Sequence, residues 1–138
     1  MSFKFVPHTA DIKIVAEAKT LERAFVESAM ALKEAMAGKR KIRPKAKKEI
    51  KVNGMDKESL LYNFIEEFLY LFDAKDFILS KVQNLKIKRG KKSELTAEVL
   101  GDKASPYKFT NDVKAVTYND MLVKETKGKT TIHFVLDV

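Results

Sequence analysis

The stretch from Asp56 to Phe72 constrains this chain more than any other. Leu60, Leu61, Phe64, Ile65, Phe68, Leu69, Leu71 and Phe72 recur at helical spacing and cover an arc wider than the apolar stripe of a surface helix. Such a helix has to be covered on most sides by other elements. Asp56 stands where an N-cap is needed, and the helix is predicted to run to about Phe72. Glu66 and Glu67 mark what remains of its wet side. A second helix is predicted from Thr20, its N-cap, to Gly38, its C-terminal cap. Its apolar stripe is Leu21, Ala24, Phe25, Ala29, Leu32 and Met36, spaced three or four apart.

Elsewhere the pattern alternates rather than winds. Strands are predicted at Phe3–Phe5, ended by Pro7, and at Ile12–Ala18, where Ile12, Ile14, Ala16 and Ala18 share one face. Further strands are predicted at Glu49–Val52, Phe77–Val82, Leu85–Arg89, Leu95–Leu100, Met121–Lys124 and Thr131–Leu136. Asn53-Gly54 reads as a tight turn and Arg89-Gly90-Lys91-Lys92 as a hairpin turn. Val113–Thr117 is open between a short helix and a strand, and the segments around Pro44 and Asp102–Asn111 read as loops. Helix-separated strands early and hairpins late define an α+β chain: a mixed or antiparallel sheet of about six to seven strands with two main helices packed on one side. The 138 residues, 45% of them hydrophobic, suffice for one domain spanning 1–138.

Composition removes several chemistries. Without cysteine there is no thiolate nucleophile, disulfide framework, Cys-ligated zinc or iron–sulfur cluster. The five glycines, at 38, 54, 90, 101 and 128, are too dispersed for a Walker A loop or a dinucleotide fingerprint. No serine sits in a Gly-x-Ser-x-Gly elbow, and the two histidines, His8 and His133, give no triad pattern. His133 alternates with Ile132 and Phe134 and reads as a surface or edge residue. No apolar run approaches the roughly 20 residues of a membrane helix, and the first residues lack a signal-peptide pattern. A soluble, cytoplasmic protein is the expectation.

The formal net charge is +8, and it is uneven. Lys39–Lys51 holds eight basic residues against Glu49 alone, Lys81–Lys108 holds eight against three acids, and residues 52–80 hold six acids against Lys57 and Lys75. The basic segments suit an anionic partner such as RNA. They equally suit solvated strand edges, where lysine discourages aggregation, and no aromatic is interleaved in Lys39–Lys51 for base stacking.

Two places carry candidate site residues. One is the corner Pro7-His8-Thr9-Ala10-Asp11, where polar side chains either converge on a ligand or cap local backbone N–H groups. The other is Asp137, beside Val138 with its terminal carboxylate. Hard oxygen donors of this kind suit Ca²⁺ or Mg²⁺. A third segment, Val113-Lys114-Ala115-Val116-Thr117-Tyr118-Asn119-Asp120-Met121, has no clear period.

Four of these motifs, taken together, resemble the archease family: His8-Thr9-Ala10-Asp11, Ser59-Leu60-Leu61-Tyr62 leading to Leu69-Tyr70-Leu71-Phe72, Lys114-Ala115-Val116-Thr117-Tyr118-x-Asp120-Met121, and Leu136-Asp137-Val138. They occur in family order and span nearly the whole chain. The resemblance implies strand–helix–strand–strand modules. It also implies a protein cofactor of the tRNA-splicing RNA ligase, not itself an enzyme, that promotes ligase guanylylation and multiple turnover. It places a divalent metal, calcium or magnesium, on Asp11, Asp137 and Val138, with His8 and Asp120 as accessories. Asn119 stands where the family often has His. The partners implied are the ligase and, indirectly or through the basic segments, tRNA; no membrane is implied. The alternatives are an RNA-binding or chaperone-like accessory to tRNA modification, and a small metal-dependent hydrolase using Asp11, Asp120 and Asp137.

Overall fold

The computed structural model describes residues 2–6 and 11–138. Both predicted helices form, and their ends follow from their caps. Helix α1 spans Leu21–Ala37. The Thr20 hydroxyl accepts the Arg23 N–H at 3.1 Å, satisfying one of the donors a helix start leaves open. Gly38, at φ 67°, closes the helix with its N–H on Glu34 O at 2.7 Å. Helix α2 spans Lys57–Lys75. Asp56 and Ser59 cap it reciprocally: the carboxylate accepts the Ser59 N–H at 2.7 Å, and the Ser59 hydroxyl accepts the Asp56 N–H at 3.1 Å. The Ser59 N–H first, then the Ser59 hydroxyl, favour the charged form and hold the Asp56 carboxyl below its usual range. The helix runs one turn beyond Phe72 because Asp76, a left-handed residue at φ 51°, ends it. Its carboxylate accepts the Ser105 N–H and hydroxyl at 2.8 and 2.9 Å, which secures that conformation without a glycine.

Among the described residues seven strands accompany the helices: β1 (Ser2–Val6), β2 (Asp11–Ala18), β3 (Ala46–Gly54), β4 (Phe77–Lys88), β5 (Ser93–Lys103), β6 (Ala115–Thr126) and β7 (Lys129–Asp137). They divide into two antiparallel sheets, β1-β2-β7-β6 and β3-β5-β4. The chain order makes this division a nesting. β3, α2, β4 and β5 form one complete strand–helix–strand–strand unit, inserted between α1 and β6 of a second such unit, β2-α1-β6-β7. Each helix touches strands of both sheets, so the helices join the two sheets rather than cover one side of a single sheet. The core they share includes Phe25, Leu32, Leu60, Leu61, Phe64, Ile65, Leu95, Val99, Ile132, Phe134 and Leu136, all at most 1% exposed. No helix among the described residues is long and apolar enough to cross a membrane.

Three predicted boundaries change. Phe77–Val82 and Leu85–Arg89 are one strand, broken in register after Leu79 and again after Gln83, where Asn84 takes φ 53°. Val113–Thr117 and Met121–Lys124 belong mostly to one strand, β6, which also carries an irregularity. Asn53-Gly54 is the end of β3 rather than a tight turn. Its glycine serves a close approach: a Cβ at Gly54 would lie 2.3 Å from the Leu60 backbone N, in the first turn of α2.

A polar cluster closes one end of the molecule. Glu125 of β6 accepts from Arg89 Nη2 at 2.6 Å and from Lys57 Nζ at 3.3 Å, tying the β4–β5 hairpin and the start of α2 to β6. The Arg89 hydrogen bond, more than Lys57, holds the Glu125 carboxyl below its usual 4.5. A depressed acid stabilises the fold above its unfolded-state value, and that stability is lost as pH falls through the folded-state value. Glu125→Gln is therefore expected to cost about 1 kcal/mol at pH 7. The difference from wild type should vanish in thermal unfolding at pH 3; an equal difference at both pH values would rule out an ionic contribution.

Candidate functional site

Asp11 opens β2 and Asp137 closes β7, and the antiparallel register sets them directly opposite one another. Along β2 the residues Ile14, Ala16 and Ala18 point into the core, as do Thr130, Ile132, Phe134 and Leu136 along β7. Alternation then puts Asp11 and Asp137 together on the outer face of the four-stranded sheet. Directly opposed residues carry their Cβ atoms about 4.5–5.5 Å apart. Asp137 also faces Ala115 of β6, and its carbonyl accepts the Lys114 N–H at 2.8 Å. Asp137 is thus flanked on both sides, by β2 and by β6. The next outward position, Val135, is fully buried between Lys13 and Thr117, so the carboxylates border a dry patch.

Like charges directly opposite destabilise a strand pair, and a divalent cation relieves that repulsion with ligands of the hard class it prefers. The donor set fits Ca²⁺ or Mg²⁺, which take carboxylate, carbonyl and water oxygens together. Among the described residues no three His, Cys, Asp or Glu side chains gather into a metal cluster. The side-chain donors of this corner are therefore the Asp11–Asp137 pair, with Val138 adjoining and exposed. His8 lies outside the described residues.

Asp120 occupies a different setting. Between the pairs Thr117↔Val135 and Leu122↔His133, the four residues Tyr118–Met121 of β6 face Phe134 alone. At this bulge Asp120 takes φ 57° and the Asn119 N–H donates to Thr117 Oγ1 at 2.8 Å. The aperiodic run in the sequence is the imprint of that bulge. His133 lies in an interior strand of the sheet, half-buried on its outer face, rather than at an edge. Burial first, then Lys13 and Lys4, hold its imidazole below the usual 6.5, so it is neutral at pH 7.

The two basic segments, distant in sequence, meet on the outer face of the three-stranded sheet. Lys47 and Lys81 flank Leu100, and Lys51 and Lys86 flank Thr96. An open depression of about 570 Å³ lies there, lined by Lys51, Lys86, Glu49 and Glu98 among others. Sequence reasoning saw the charge but not this convergence, which depends on β5 lying between β3 and β4.

Two nested strand–helix–strand–strand units, with an acidic pair where the outer one begins and ends, define a small α+β class. Residues 3–138 match the family model described as Archease protein family (MTH1598/TM1083), and the chain belongs to that family. It is 37% identical to Protein archease of Pyrobaculum neutrophilum over 139 residues, covering 99% of this chain and 95% of that one. It is 40% identical to Protein archease of Pyrococcus furiosus over 119 residues, 85% of this chain and 84% of the relative. The solution structure of Methanobacterium thermoautotrophicum protein 1598 superposes with a TM-score of 0.85 at 27% identity, covering 99% of this chain and 98% of that one. The crystal structure of an archease, "possible chaperone", from Thermotoga maritima superposes at 0.61 with 18% identity, covering 98% and 96%, a likeness of fold alone.

Proposed function

We propose that this chain is a protein cofactor of the tRNA-splicing RNA ligase, acting in the cytoplasm as one domain without catalysing a reaction itself. It carries a divalent cation, calcium or magnesium, at the Asp11–Asp137 corner. The observation that supports this reading is the register, which joins two carboxylates from opposite ends of the sequence on one exposed face. Asp11 and Asp137 would hold the cation, with Val138 completing the oxygen set and His8 and Asp120 as accessories. The cation would supply positive charge to phosphate oxygens at the ligase's guanylylation site. The protein's own part is to hold the two carboxylates at fixed spacing on a three-strand platform, and the Lys114 N–H bond to the Asp137 carbonyl keeps the end of β7 in place.

The test pairs metal binding with multiple-turnover guanylylation and ligation by the host's ligase, this protein being present below stoichiometry. Asp11→Asn and Asp137→Asn are each expected to weaken Ca²⁺ binding by about tenfold or more, since affinity follows ligand charge, and to abolish stimulation while remaining folded. Stimulation that survives in both variants would sink the metal mechanism and leave the activator.

A second reading, an RNA-binding or chaperone-like accessory to tRNA modification, is favoured by the lysines that meet on the three-stranded sheet. It requires tRNA affinity that falls steeply with salt and is lost when Lys47, Lys51, Lys81 and Lys86 are changed to Gln. Salt-independent or unchanged affinity would remove it.

A further inference from the structure

The bulge in β6 does more than interrupt pairing. It turns Tyr118 toward α2, where its ring stacks on Tyr62 with centroids 4.3 Å apart and planes 5° from parallel. Tyr118 nevertheless remains 54% exposed, and Tyr70, two turns further along the same face of α2 as Tyr62, is 51% exposed. Glu66 and Asp73 lie on that face between and beyond these rings, both exposed, as is Asp120 at the bulge. From Glu58 to Ala74 there is no basic residue, in a chain with 27 lysines and arginines.

Surface helices ordinarily mix charges of both signs, and exposed tyrosines are ordinarily scattered. This face instead joins three tyrosines to carboxylates, on a molecule whose other sheet is basic. Tyrosine is enriched among the residues that dominate protein–protein affinity. Its ring face attracts a guanidinium or ammonium, and neighbouring carboxylates accept charge-assisted hydrogen bonds from the same group. Burial, then the Glu66 carboxylate, push the Tyr62 phenol up, so it stays a neutral donor at physiological pH. A phosphate backbone would be repelled here.

We infer that Tyr118, Tyr62 and Tyr70, with Glu66 and Asp73, form a docking surface for a protein face rich in arginine or lysine. Resting on the reading above, that partner is the ligase, and the surface is distinct in role from the carboxylate corner. Tyr118 is three residues along β6 from Ala115, the cross-strand partner of Asp137.

The test measures ligase stimulation as a function of this protein's concentration, together with direct binding by calorimetry. The Glu66→Lys/Asp73→Lys double variant and Tyr118→Ala should each raise the half-maximal concentration and Kd at least tenfold, with full stimulation regained at saturation. Tyr118→Phe, which keeps the ring, should behave as wild type. Asp137→Asn should show the opposite split, stimulation abolished at unchanged Kd. Docking variants that bind as wild type would overturn this surface while leaving the proposed function standing. Docking variants that lose maximal stimulation instead of affinity would also overturn it. A wild type that neither binds nor stimulates the ligase, or that retains only tRNA, would overturn the ligase reading and this surface with it.

Discussion

Gly101→Ala is expected to lower stability by about 3 kcal/mol or more, a fall of about 10 °C in the unfolding midpoint for a chain of this size. Gly101 lies in β5, the central strand of its sheet, where a Cβ would come within 2.1 Å of the Ile78 carbonyl oxygen and 2.6 Å of the Phe77 ring. The nearest obstacle is backbone in the adjacent strand, so no rotamer change relieves it. β4 loses register just after this point, and the missing side chain is what lets the strand cross so closely. Gly128→Ala is the control: nothing lies within 4 Å of a Cβ there, and only the positive φ of 75° opposes it. That change should cost about 1 kcal/mol. Circular dichroism melting of both variants would decide the matter, and equal losses would mean that the β4–β5 crossing is looser than described.

Phe64→Ala should be comparably severe, about 3–5 kcal/mol in urea unfolding at unchanged m-value. Phe64 is fully buried, with its ring 5.5 Å from Phe25 of α1 and 4.9 Å, edge to face, from Phe68. Truncation would leave a void where the two helices meet, which backbone set by two sheets cannot close. Tyr70→Ala, on the opposite side of the same helix, should change stability by less than about 0.5 kcal/mol. The contrast separates the face of α2 that holds the fold from the face assigned to docking. A large loss in Tyr70→Ala would refute that separation.

The parts legible in the sequence were the local ones. Thr20, Gly38 and Asp56 announce helix ends because capping is a short-range hydrogen-bond problem, and the apolar arc of α2 announces its burial. Asp76 was hidden because an aspartate at the left-handed position depends on Ser105, 29 residues on, for its support. The division into two sheets was hidden for a related reason: strand alternation reports which face is buried but not which strand lies alongside. The Asp11–Asp137 pairing came from family resemblance, and only the register places the two residues opposite each other. The bulge at Tyr118–Met121 appeared in the sequence as loss of period. Its use in stacking Tyr118 on Tyr62 required two elements far apart in the chain.

The nesting of one unit inside the other sets an order of assembly. β3, α2, β4 and β5 are all present in the chain by Lys103, and the widest pairing among them, Ala46 with Gly101, spans 55 residues. β2 must wait for β7, across nearly the whole intervening chain, and distant closure of this kind is slow. The acidic corner therefore forms last. Under the proposed function, competence to hold a cation would therefore report that β2 and β7 have paired.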